Sequence, residues 1–121
     1  MKLKVRFISL EEDDKDLILS FAIEDEVLGV RSLILHRTLF FEELLDEEEK
    51  GVKVSLEGDY FEQEDSNTLN SIKIRADEIN IKSTFKEYSL DITAIARKDV
   101  EEMVELLTKQ NYDNRFTIDV T

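Results

Sequence analysis

The strongest constraint on the fold is a period-two alternation of apolar and polar residues. It is clearest in SIKIRADEINIKSTF, where Ile72 and Ile74 alternate with Lys73 and Arg75, and Ile79 and Ile81 alternate with Asn80 and Lys82 around the turn residues ADE. Successive side chains on a strand point to opposite faces, so this pattern specifies a hairpin with one apolar face. The same alternation runs through Leu3–Ser9, through Leu17–Glu24 and Val30–Arg37, and through Val52, Val54 and Leu56 within GVKVSLEG. The polar turn EEDDKD separates the first two of these strands. DEVLG separates the next two, and Gly29 there suits a positive φ. The first third therefore reads as an antiparallel meander. YSLDITAI (Tyr88–Ile95) reads as a further strand, RFTIDV (Arg115–Val120) as a final one, and DYFEQEDSNTLN (Asp59–Asn70) as a loop.

One segment has the helical period instead. Val100, Met103, Val104 and Leu107 fall at i, i+3, i+4 and i+7, with Asp99 as an N-cap paired with Glu102 and with Lys109 near the C-terminal end. The expected fold is α+β: a mostly antiparallel β-sheet of meander and hairpins, with one amphipathic helix near the C-terminus packing on it. At 121 residues without an internal linker, repeat or proline, the chain is expected to form a single domain over residues 1–121.

LFFEELLDEEEKG (Leu39–Gly51) is the hardest stretch to place. As one helix it would put Phe40, Phe41, Leu44 and Leu45 on a common face; as a strand it would put Leu39 and Phe41 on one face. The reading favoured is a strand end running into a short helical turn. Leu39 and Phe41 then point inward, and the acids from Glu42 onward lie outside.

Charge narrows the function. Lys and Arg number 16 against 29 Asp and Glu, a net charge of −13. Such a surface repels nucleic-acid phosphates and anionic lipid, and it attracts a cationic partner. The acids form four blocks: Glu11–Asp16, Glu24–Glu26, Glu42–Glu49 and Glu57–Asp65. The last two are interleaved with apolar and aromatic residues, and an apolar centre rimmed by charge is a common interface design. The candidate partner-binding residues are Glu42, Glu43, Asp46, Glu47, Glu48, Glu49, Glu57, Asp59, Tyr60, Glu62, Glu64 and Asp65, with Tyr60 as the exposed anchor.

Catalytic and cofactor signals are missing from the sequence. There is no cysteine, and three scattered glycines make no phosphate loop. The single His36 lies within an apolar strand, and no oxygen-rich run fits a calcium-loop frame. The chain is thus expected to be no enzyme, with no cofactor and no metal. MKLKVRFISL alternates and shows no signal-peptide core, so a cytoplasmic location is expected.

The run LILHRTLFFEE, then GVKVSLEG, then a polar loop before IKIRADEINI, resembles the bacterial toxin-immunity proteins of the immunity protein 10 type. In that pattern an apolar strand ends Leu-Gln-Arg, a Phe follows, acids lead to a Gly, and a later strand ends in Glu. Leu35, Arg37, Phe41, Gly51 and Glu57 occupy those places here, with His36 where Gln is usual. The opening VRFISLEEDD and the return LILSFA are also alike. The likeness spans roughly residues 3 to 82 and the acidic C-terminal helix. The Gly-rich aromatic segment that precedes the hairpin in that family is replaced by DSNTLNSI. The resemblance implies a non-enzymatic inhibitor that binds and neutralises a cognate bacterial toxin domain, nucleases being one such class. The alternative is a structural or assembly subunit that forms a homodimer or larger homo-oligomer, its acids serving solubility alone.

Overall fold

The computed structural model describes residues 2–59 and 66–121. The alternating segments form eight strands among the described residues: β1 (Lys2–Glu12), β2 (Asp16–Asp25), β3 (Gly29–Thr38), β4 (Lys53–Leu56), β5 (Leu69–Ile74), β6 (Glu78–Ser83), β7 (Glu87–Asp91) and β8 (Thr117–Val120). The helical period forms α1 (Arg97–Gln110). The strands make one mixed sheet in the order β4-β3-β2-β1-β7-β6-β5-β8, an α+β fold with α1 packed on it.

Most neighbouring pairs are antiparallel, as the hairpin patterns require, but β1 with β7 and β5 with β8 are parallel. The second of these follows from connectivity. The helix carries the chain back across the sheet from the end of β7, so β8 enters in the same direction as β7 and as β5.

The sheet curls. β4 lies at one end of the strand order, yet Lys53 bridges Thr68 just before β5. Val54 N donates to Asn67 O at 2.9 Å and Leu69 N to Val52 O at 2.8 Å. The buried Asn67 side chain adds a bond from Nδ2 to Val54 O. Inside the curl, Val5, Leu19, Phe21, Leu33 and Leu35 share one core with Ile72, Ile79, Ile81 and Leu90, and Met103 and Leu107 of α1 close it. Each of these occupies the inward phase of its alternation, so the sequence period and the core are the same fact.

Several boundaries differ from the sequence expectation. β1 runs through Glu12, so only Asp13–Lys15 turns; there Asp13 Oδ1 accepts the amides of Lys15 and Asp16 at 2.8 Å. Gly29 has φ +84°, as its turn demands. Asp99 is not the N-cap of α1. That position is Ala96, with no side-chain cap bond, and Asp99 sits in the first turn, where its charge still suits the helix dipole. The buried stripe of α1 is Met103, Leu106, Leu107 and Gln110, with Val100 and Val104 partly buried beside it.

Candidate partner-binding surface

The inward phase of β3 reads Leu33, Leu35, Arg37, so the alternation drives a guanidinium into the interior. Arg37 is 0% exposed. Burying an unpaired charge would be prohibitive, and the fold answers by satisfying all five N–H donors. Nε donates to Glu42 Oε2 at 2.9 Å and Nη2 to Glu42 Oε1. Nη1 and Nη2 donate to the two Asp113 oxygens at 2.8 and 2.9 Å, and Nη1 also donates to Gln110 O at 2.8 Å. The Tyr112 ring lies 4.0 Å from the guanidinium carbon, and its hydroxyl donates to Glu42 Oε1 at 3.2 Å. The Gln110 carbonyl is one of the orphan acceptors at the end of α1, so the cation also caps the helix. Gln110 Nε2 donates in turn to Leu17 O and Leu35 O, tying the helix end to β2 and β3.

The electrostatics follow the geometry. Burial would lower the Arg37 pKa, but the bonds to Asp113 and Glu42 outweigh it and raise it. The Arg37 guanidinium holds Asp113 well below the usual carboxylate range, against the effect of burial and with help from Arg115. Arg115 extends the cluster, with Nε donating to Asp113 Oδ2 at 2.7 Å and Nη2 to Glu47 Oε1 at 3.0 Å. Glu47 is lowered first by that hydrogen bond and then by the charges of Arg115 and Lys50.

This clamp corrects the reading of Leu39–Gly51. The chain leaves the sheet at Thr38 and makes two single turns of 3₁₀ helix, Glu42–Leu44 and Glu47–Glu49. The space that Leu39 and Phe41 were expected to fill is taken by Arg37, Glu42 and the end of α1. Both apolar residues are therefore turned outward: Phe40 is 60%, Phe41 55% and Leu44 77% exposed, and Leu39 is also exposed. The rings of Phe40 and Phe41 pack edge to face with centroids 4.7 Å apart, and Lys15 lies 6.0 Å from the Phe40 centroid.

The sequence-predicted acids divide into groups. Glu42 is buried and works inward as the anchor of the segment. Glu47 is exposed but paired with Arg115 and Lys50. Glu43, Asp46, Glu48 and Glu49 make no ion pair among the described residues and surround the exposed apolar group along the chain. Glu57 lies apart, its Oε1 accepting Ser32 N at 3.0 Å, and Asp59 faces Lys86 at 3.7 Å. Tyr60, Glu62, Glu64 and Asp65 lie outside the described residues. His36 is on the outer face of β3, with Nε2 2.7 Å from Asp16 Oδ1.

The residues that reading the sequence missed are Asp113, Tyr112 and Arg115, which complete the clamp from the far end of the chain. The available signal was Arg37 itself, a charge in the buried phase of an alternation, which demands buried counter-charges somewhere. Among the described residues no group of His, Asp or Glu is placed to hold a metal ion, and no helix is long and apolar enough to cross a membrane. Comparison with protein-family models, curated proteins and solved structures returns no match.

Proposed function

We propose that this protein is a non-enzymatic inhibitor of the immunity kind, which captures a basic protein, a cognate bacterial toxin domain, on the acidic and aromatic segment Leu39–Glu49. One observation carries the reading. Phe40, Phe41 and Leu44 stand in solvent on a segment held from beneath by buried charge pairs. Large apolar groups on a pre-ordered backbone lose little freedom on binding, and aromatic anchors supply most of the energy in many interfaces. Glu43, Asp46, Glu48 and Glu49, which make no ion pair among the described residues, would steer a cationic surface toward them and raise the association rate. If the partner is a nuclease, the same carboxylates can occupy the basic groove that receives phosphates.

The test is capture from the native host at low salt, using the tagged chain and a variant with Glu43, Asp46, Glu48 and Glu49 changed to Lys. The expected result is a basic protein bound by the wild type, released by about 0.5 M salt as charges are screened, and absent from the variant. That protein should arrest growth when expressed alone and not when expressed with this chain. Capture that is indifferent to both salt and charge reversal would remove the reading.

A further inference from the structure

A second surface, separate from the acidic segment, carries an inference beyond partner capture. The helix covers only the inner side of the curled sheet, and no described element covers the outer side of β1–β4. The registers align outward residues in three rows. The first runs Phe7, Ala22, Ser32; the second Ser9, Ser20, Ile34, Ser55; the third Glu11, Ile18, His36, Lys53. In a chain with 37% charged residues, the first two rows hold none. Phe7 is 55% exposed, and Ile18 and Ile34 are half-buried. Outward Val30 is also exposed, beyond Ser32 on β3 and opposite the exposed Glu24.

Charges lie around the edges of these rows: Glu24 sits opposite Val30 with Lys4 beside it at one end, and Asp16 meets His36 at the other. Arg6, at the bulge in β1, is exposed beside Phe7, and Glu57 bonds Ser32 at the other side of that row. In the third row the signs are reversed, with Glu11 on β1 and Lys53 on β4. Positive and negative corners thus alternate around an uncharged centre. A twofold axis in the plane of the face, along or across the strands, lays each corner over one of opposite sign. Two copies, each with a net charge of −13, repel one another overall, so the contact has to be one where opposite signs meet. This face is where a second copy can approach.

We propose that the outer face of β1–β4 is a self-association surface, on which two copies of this chain form a weak isologous dimer. At ~3.3 Å per residue and ~4.8 Å per strand the face measures at most roughly 500 Å² per copy. The pair would bury about 1,000 Å², the lower limit for a specific interface, so the expected dissociation constant is on the order of 10–100 μM. The acidic segment lies beyond the end of β3 and stays free for its own partner.

The experiment is sedimentation velocity of the full chain across concentration and salt. Salt should strengthen the association, because it screens repulsion between two anions, whereas it weakens capture of a basic partner. Ile34→Lys places like charges together at the centre and should raise the dissociation constant by about tenfold or more at unchanged helicity and melting temperature. If that variant does not fold, Phe7→Ser, at an exposed position, should weaken the dimer in the same direction. Phe40→Ala with Phe41→Ala should leave it intact. A monomer at about 1 mM in high salt would overturn the proposal. So would a folded Ile34→Lys or Phe7→Ser protein that associates like the wild type, or a dimer lost on removing Phe40 and Phe41.

Discussion

The two ends of β3 look alike in sequence and behave differently in the structure. At its start the turn between β2 and β3 exposes Val27 (89%) and Leu28 (61%) beside Glu24, Asp25 and Glu26. At its end, Phe40, Phe41 and Leu44 are exposed beside the third acidic block. The first turn is held locally: Asp25 Oδ2 accepts the amides of Val27 and Leu28 at 3.3 and 2.7 Å, and Gly29 reverses the chain. The second is held by Glu42 and Arg37 and, through Asp113, by a part of the chain 76 residues further on. Exposed apolar residues beside acids are common to both. A costly buried network beneath them belongs to one, and that is the end where a partner would meet a pre-ordered surface.

The comparison breaks most visibly at Arg37. Arg37→Met leaves Glu42 without its cation and Asp113 with Arg115 alone, and should cost about 3–5 kcal/mol in chemical denaturation. The segment should also become sensitive to proteolysis between Leu39 and Gly51. If stability and protection both stay at wild-type levels, the two ends of β3 are equivalent and the clamp has no role.

Next in size is Phe40→Ala with Phe41→Ala. Removing exposed rings should change folding stability by no more than about 0.5 kcal/mol. It should weaken partner binding by about 2 kcal/mol, roughly thirtyfold in Kd and seen mainly in the dissociation rate. The same truncation at Val27 and Leu28 should leave both quantities unchanged; equal losses at the two ends would put the interface across the whole of β3.

The smallest effect is pH dependence. Asp113 and Glu47 are lowered below their ordinary values of 3.8 and 4.5, so the unfolded chain binds more protons near those pH values than the folded one does. Their stabilisation is present above about pH 5 and is lost as pH falls through the depressed folded values. Asp113 is partly exposed, and solvent screening holds its share to about 1 kcal/mol. Asp113→Asn should therefore flatten the acid side of the stability curve below about pH 4. An unchanged slope in Asp113→Asn would show that the ion pair contributes nothing to acid stability.

The strands were legible in the sequence because each carries its own evidence. Ile72, Ile74, Ile79 and Ile81 announce face and register within a dozen residues, and Val100–Leu107 announces the helix in the same way. Phe41 was not legible. An aromatic residue four positions past an inward arginine continues the alternation on paper, and only the volume already occupied by Glu42 and the end of α1 turns it outward. Asp99 looked like a cap for a similar reason: the spacing to Glu102 was right, but the helix begins earlier, at Arg97, with Ala96 as its N-cap.

Local periodicity, with side chains alternating every two residues or recurring every three to four, let the sequence alone determine the strands, the helix and the faces that form the core. Net charge determined the sign of the protein's own field. Tertiary structure decided which apolar residues reach solvent, which carboxylate is held inside, and which sheet face no described element covers. Those outcomes depend on contacts such as Arg37 with Asp113, between residues far apart in the chain, whose energies appear only when the sheet curls and the helix end closes over it.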